Sequence, residues 1–120
     1  YSLPSGTEEE KAHKEAVMEE NLRAASLVPL QIMEAAEKCI SHLEFLEANG
    51  SVMAVSDVGV AVQFIRTALT GAVMNVYINT KSMKQRDEAE KINQKAEKLL
   101  EEGTKRADLV YEKVLSRLKK

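Results

Sequence analysis

The sequence contains no tryptophan, and aromatic residues make up only 4% of its 120 positions. A core drawn from it must be built of Ala, Leu, Val, Ile and Met, side chains that let helices approach closely. Two prolines and five glycines leave few places to turn, so the elements must be few and long. The single cysteine, Cys39, excludes an internal disulfide. It falls in a helical apolar stripe and reads as a small buried hydrophobe in a reducing compartment. The two histidines, His13 and His42, stand far apart among charged residues. They form no metal-ligand pattern and are expected to be solvated. A long hydrophobic run is also missing. The longest uncharged stretch, Thr67 to Thr80, includes two Asn and three Thr and is too short and too polar to span a bilayer. The net charge is only −2. No basic stripe interleaves with aromatics, so nucleic acid is not an expected partner. No signal peptide, phosphate loop, nucleophilic triad or zinc motif is visible. These absences point to a soluble, cytoplasmic protein without a metal or bound cofactor.

What is present is an ordinary globular balance, 30% charged and 44% hydrophobic, over a length suited to one domain, residues 1–120. The pattern predicts an all-α bundle of long antiparallel helices with a buried central helix. After an incoming loop at 1–6, Thr7 followed by Glu8, Glu9 and Glu10 is a capping box opening a first helix to about Ala48. Its expected core stripe is Ala25, Val28, Ile32, Ala35, Cys39, Leu43 and Leu46. Pro29 should kink it into segments 8–28 and 29–48, either separate or nearly continuous, and Asn49-Gly50 should cap it. From Ser51 to Thr80 the only charges are Asp57 and Arg66. A helix so poor in charge should be surrounded by other helices, with Ser56-Asp57 as its N-cap pair. A third helix, Asp87 to Leu118, carries a clean stripe of Ile92, Ala96, Leu99, Gly103, Ala107, Val110, Val114 and Leu118. Its other faces hold Asp87–Lys91, Glu101–Lys105 and Glu102–Arg106 at i, i+4 spacing. Two outer helices cannot cover all sides of the middle one. Further helices are expected from a second subunit, from additional chain, or from both, and a homodimer or higher homo-oligomer is the expected state.

At 100° per residue, Asp57, Ala61, Phe64, Ala68, Gly71, Asn75, Asn79 and Ser82 share one face of the middle helix. Asn75 and Asn79 could hold a polar heterocycle by paired donors and acceptors, or satisfy backbone groups of a neighbouring helix. Asp57 is either a helix-start acid or a catalytic carboxylate. Lys81, Lys84 and Arg86 either complement the negative end of the helix dipole or contact an anion.

The segments Ser56-Asp57-Val58-Gly59-Val60-Ala61 and Asn75-Val76-Tyr77-Ile78-Asn79-Thr80-Lys81 resemble the cyclodeaminase/cyclohydrolase family. That family includes the C-terminal domain of formiminotransferase-cyclodeaminase and stand-alone methenyltetrahydrofolate cyclohydrolases. Leu3-Pro4, Thr7 to Lys11, Ala25 to Leu30 and Asn49-Gly50 follow in the family's order, and the resemblance runs from Leu3 to about Met83. Ser5 and Tyr77 depart from it where the family usually has basic residues. The family's Pro-Gly-Gly-Gly start, further helices and a catalytic acid have no counterpart here, so the chain resembles the C-terminal part of the domain. The resemblance implies folate one-carbon chemistry, with a tetrahydrofolate derivative as substrate and no cofactor. Within these residues, Asp57 stays the candidate catalytic carboxylate on its helix position and not on the resemblance. Asn75, Asn79, Lys81, Lys84 and Arg86 are the candidates for holding the substrate and its polyglutamate tail. The enzyme would be either formiminotetrahydrofolate cyclodeaminase or methenyltetrahydrofolate cyclohydrolase, with these residues alone inactive or nearly so. The alternative is a helical assembly module that keeps the fold without the chemistry.

Overall fold

A computed structural model describes residues 3–120, with the backbone alone at Val52. Tyr1 and Ser2 of the expected incoming loop lie outside the described residues. Three helices follow one another: α1 (Glu8–Asn49), α2 (Val55–Thr80) and α3 (Arg86–Leu118), with a single 3-10 turn at Val52–Ala54 before α2. The short connections force antiparallel neighbours, and each helix touches the other two. No described residue is in a strand, and no helix among them is long and apolar enough to cross a membrane.

Local chemistry sets most boundaries. The Thr7 hydroxyl accepts the Glu10 N–H at 3.0 Å, and Glu8 to Glu10 place negative charge at the helix start. Gly50 closes α1 by donating its N–H to the Leu46 carbonyl at 2.7 Å, so tightly that a Cβ there would collide with that oxygen. Ser56-Asp57 does not cap α2. The N-cap is Ala54, two residues before Ser56 and without a side-chain hydrogen bond, and both residues lie in the first turn.

The core is a seam of Met33 and Ile40 from α1, Val62, Leu69 and Val76 from α2, and Ala89, Ala96 and Ala107 from α3, all fully enclosed. The predicted α3 stripe is this seam from Ile92 to Val114, and only Leu118 falls outside it, 54% exposed. Gly103 belongs to the seam for a physical reason. A Cβ there would stand 2.6 Å from Leu69 Cδ1, so the close crossing of α2 and α3 offsets the roughly 1 kcal/mol that a helical glycine costs against alanine. Gly59 does the same against Val114, at 2.8 Å. Ion pairs of α3 run across the bundle: Arg106 clamps Glu44 of α1 through two nitrogens at 2.6 and 3.1 Å, and Asp108 takes Arg66 of α2 at 2.7 Å. The Arg106 hydrogen bonds hold the Glu44 carboxyl below its usual range.

The structure also decides two expectations about α1. First, α1 turns a different face to the core. Ser26, Pro29, Leu30, Met33, Ala36, Ile40 and Glu47 are buried, while Ala25, Val28, Ile32, Ala35, Cys39 and Leu46 are exposed and Leu43 is half-buried. The helix carries two apolar stripes of the same 3.6-residue period, and periodicity cannot say which one meets the partner helices. Second, Pro29 does not divide α1, which runs unbroken through it. On α2, the two neighbours leave one side open, as two outer helices must, and the helix is enclosed only where it meets α1 and α3. Its outward side leaves Phe64 72%, Met74 71% and Ile78 61% exposed. The resulting shape is a rod of 70 × 24 × 18 Å with a radius of gyration of 19.6 Å. A compact domain of this length would have a radius of about 14 Å.

Candidate functional site

Asp57, Asn75 and Asn79 all belong to the outward side of α2 or its border with α1, as the helical wheel requires. They do not form one cluster. Asp57 is exposed in the first turn, beside a cleft of about 320 Å³ lined by Leu43, Leu46, Gly50 and Ala61. Asn75 lies eighteen residues further along the same helix, roughly 27 Å away at 1.5 Å per residue.

The opposite end of α2 is the better organised one. Pro29 has no N–H to give the Ala25 carbonyl one turn back, and its ring crowds that oxygen. Asn79 fills the gap: its Nδ2 donates to the Ala25 carbonyl at 3.3 Å and to the Asn75 carbonyl at 2.8 Å. The side chain thus ties α2 to α1 at the break in the α1 hydrogen-bond ladder, which explains how α1 continues through Pro29. Both N–H groups of the amide are used, and its Oδ1 accepts nothing from the described residues. The Asn75 amide is exposed beside it. We expect Asn79→Ala to strand the Ala25 carbonyl and lower unfolding stability by about 1–2 kcal/mol. In a Pro29→Ala background, where residue 29 regains its N–H, the loss should shrink. Chemical denaturation of the four proteins of this cycle checks it, and an equal loss in both backgrounds would refute the pairing.

The basic residues after α2 are separated by their partners. Arg86 turns back to cap the helix, donating through Nη1 to the carbonyls of Thr80 at 2.8 Å and Met83 at 2.9 Å. Lys84 pairs with Glu15 at 3.1 Å. Its backbone N–H and that of Gln85 donate to the two oxygens of Glu19, and these bonds hold the Glu19 carboxyl below its ordinary value. Lys81 is exposed, and its ammonium has no ion-pair partner among the described residues. Nearby, Arg23 joins Glu20 at 2.7 Å and meets Glu88, its Nε approaching off the hydrogen-bond line. The loop is therefore anchored to α1 by carboxylates on both sides of a cleft of about 560 Å³. Inside the bundle, the buried Thr80 hydroxyl contacts Asn93 Oδ1 at 2.6 Å. This contact went unread in the sequence because Asn93 stands outside the apolar stripe of α3. His13 and His42 are both exposed, and no group of three or more His, Cys, Asp or Glu among the described residues is placed to hold a metal ion.

The sequence pattern of the formiminotransferase-cyclodeaminase family matches residues 1–98, most of the chain. The chain belongs to this family. The match extends past Met83 into α3, further than the sequence motifs alone reach. Among relatives, the chain is 36% identical over 118 residues to the methenyltetrahydrofolate cyclohydrolase of Methylorubrum extorquens, covering 98% of this chain and 57% of that protein. It is 34% identical over 108 residues to the formimidoyltransferase-cyclodeaminase of Rattus norvegicus, covering 90% of this chain and 20% of that protein. The Sus scrofa formimidoyltransferase-cyclodeaminase is 32% identical over 115 residues, with 96% and 21% covered. The chain thus spans little more than half the length of the cyclohydrolase and about a fifth of the longer relatives. Two segments quoted for the family resemblance, Ala25 to Leu30 and Asn75 to Lys81, are far apart in sequence and joined here by the Asn79–Ala25 hydrogen bond.

Proposed function

We propose that these residues are the C-terminal part of a larger cytoplasmic folate one-carbon enzyme, a formiminotetrahydrofolate cyclodeaminase or a methenyltetrahydrofolate cyclohydrolase. The match to the Methylorubrum cyclohydrolase over 98% of the chain carries this reading. In the cyclodeaminase reaction, N10 attacks the formimino carbon on N5, and ammonia leaves to give the methenyl bridge. In the cyclohydrolase reaction, water adds to that bridge carbon, its bond to N5 breaks, and a proton passes to N5 to give 10-formyltetrahydrofolate. Both pass through a tetrahedral carbon between two nitrogens, and both need a proton moved by a positioned group such as a carboxylate.

In this reading, the Asn75 amide and the open Oδ1 of Asn79 take the polar heterocycle. Lys81 meets the anionic tail, with Lys84 and Arg86 ordering the turn that presents it. Asp57 is too far along the same helix to join this site within one copy, and it enters only from a second copy in a homodimer or higher homo-oligomer. A second reading, an assembly module without chemistry, draws on the uncovered outward side of α2. The test uses the protein carrying these residues, following methenyltetrahydrofolate absorbance and ammonia release from formiminotetrahydrofolate. Asn75→Ala should lower kcat/KM by about tenfold, the loss of one well-made hydrogen bond, and Lys81→Ala should chiefly raise KM for substrates with a polyglutamate tail. Turnover of neither substrate by the unaltered protein would leave the assembly reading.

A further inference from the structure

The turn between α2 and α3 is held in two different ways. The N–H groups of Lys81, Ser82 and Met83 go to carbonyls at the end of α2: Tyr77 at 2.9 Å, Asn79 at 3.2 Å and Thr80 at 3.1 Å. The next two, on Lys84 and Gln85, go to a side chain instead. Glu19 of α1 takes one on each carboxylate oxygen, at 2.8 and 2.9 Å, across 65 residues of sequence from Lys84. Gln85 is the N-cap of α3 and makes no side-chain cap bond of its own. Glu19 therefore supplies from α1 the acceptors and negative charge that a capping residue supplies locally. On the carbonyl side, Arg86 reaches back from the first residue of α3 to Thr80, to Met83 and, at 3.5 Å, to Lys81. Glu19 thus fixes where α3 begins, and from that start Arg86 holds the carbonyl of Lys81. The cleft beside Glu19 does not suit an anion. Glu15, Glu19, Glu20 and Glu88 line it against only Arg23 and Lys84, and both cations are engaged by these glutamates. An anionic tail is turned away from it, toward Lys81.

We infer that Glu19 is a positioning residue for the substrate's anionic tail: it touches no substrate, and it holds in place the turn from which Lys81 meets the tail carboxylates. The inference rests on the folate reading and adds to it a residue that lies outside every segment quoted for the family resemblance. Charge alone would give Glu19 the opposite effect. Removing a negative charge near an anionic tail should ease its approach, whereas removing the two backbone bonds should hamper it. Gln at this position keeps the shape and one oxygen, but it turns an NH2 donor toward an N–H that needs an acceptor. The sign of its effect therefore separates the two roles.

The test compares monoglutamyl and pentaglutamyl methenyltetrahydrofolate as substrates of the protein carrying these residues. The unaltered protein should show the lower KM for the pentaglutamyl form. Glu19→Gln should raise that KM about tenfold, with kcat and the monoglutamyl KM unchanged. Glu15→Gln removes a neighbouring negative charge and spares both backbone bonds, so it should leave the pentaglutamyl KM unchanged or lower it. Lys81→Ala should abolish the pentaglutamyl advantage, and adding Glu19→Gln to it should cost nothing further. Monoglutamyl turnover reports that each variant is folded. A pentaglutamyl KM that falls or stays level in Glu19→Gln would overturn the positioning role and leave the folate reading standing. So would a rise that persists in full beside Lys81→Ala, equal KM values for the two substrates in the unaltered protein, or a Glu19→Gln protein that loses monoglutamyl turnover as well. Turnover of neither substrate by the unaltered protein would instead remove the folate reading, and this inference with it.

Discussion

Taken alone, the 120 residues should leave methenyl- and formiminotetrahydrofolate reacting at the spontaneous rate, at least about 100-fold below the same residues completed by the rest of the domain. The figure follows from what a positioned acid or base contributes, about 10²–10⁴ in rate, and from where such a group is found here. Asp57 is exposed and roughly 27 Å along α2 from Asn75, far beyond hydrogen-bond reach of any one substrate atom held there. The Asn75 and Asn79 amides lie at the open side of α2, where a dipole stabilises developing charge far less than in an enclosed site. Lys81 could still bind an anionic tail, but binding substrate and transition state equally does not raise kcat. The measurement follows methenyltetrahydrofolate absorbance in a buffer where spontaneous hydrolysis is slow, with the chain alone and with the complete protein. Full activity in the chain alone would place the chemistry on Asp57 or another residue here and would show that the open side of α2 suffices.

Replacing Gly103 with valine should destabilise the fold by about 3 kcal/mol, a fall in melting temperature of roughly 10 °C. The first added carbon already lands 2.6 Å from Leu69 Cδ1 and 3.7 Å from Ile40 Cδ1. Both side chains are fully enclosed and cannot swing into solvent. Gly103→Ala should fall between the two limits, since its gain in helix propensity of about 1 kcal/mol works against the collision. Leu69→Ala alone should cost about 2–5 kcal/mol through the cavity it leaves. Combined with Gly103→Val it should cost less than the sum, because the valine fills part of that cavity. A Gly103→Val melting curve that overlays the unaltered one would mean that α2 and α3 are not this close in solution.

Gly103 and Gly71 show how far the sequence could be read. Gly103 stood inside a strict stripe of α3, but spacing alone does not say how closely the facing helix approaches. Gly71 stood on a face that the sequence grouped from Asp57 to Ser82; Ser82 lies past the end of α2, and grouping a face does not say what lies opposite. The same limit produced the error on α1. Ala25, Val28, Ile32 and Cys39 repeat every three or four residues as faithfully as Ser26, Leu30, Met33 and Ile40 do, and only the docking of α2 and α3 chose between them. The Asn79 amide had been left open between a ligand and a neighbouring backbone. Its Nδ2 meets the Ala25 carbonyl that Pro29 leaves without an N–H, a contact between residues 54 positions apart, while its Oδ1 stays open to a ligand.

The sequence by itself determined that the chain is helical, where each helix begins and ends to within a few residues, and which face of α3 is buried. Those features follow from capping groups, scarce turn residues and a single apolar stripe, all of which act over one or two turns of chain. Which of two apolar stripes on α1 enters the core, that Asn79 meets the Ala25 carbonyl, and that Arg106 clamps Glu44 were decided only by the tertiary structure. Each depends on atoms brought together from distant positions, and the energies that select among such arrangements belong to the packed interface and to no single segment.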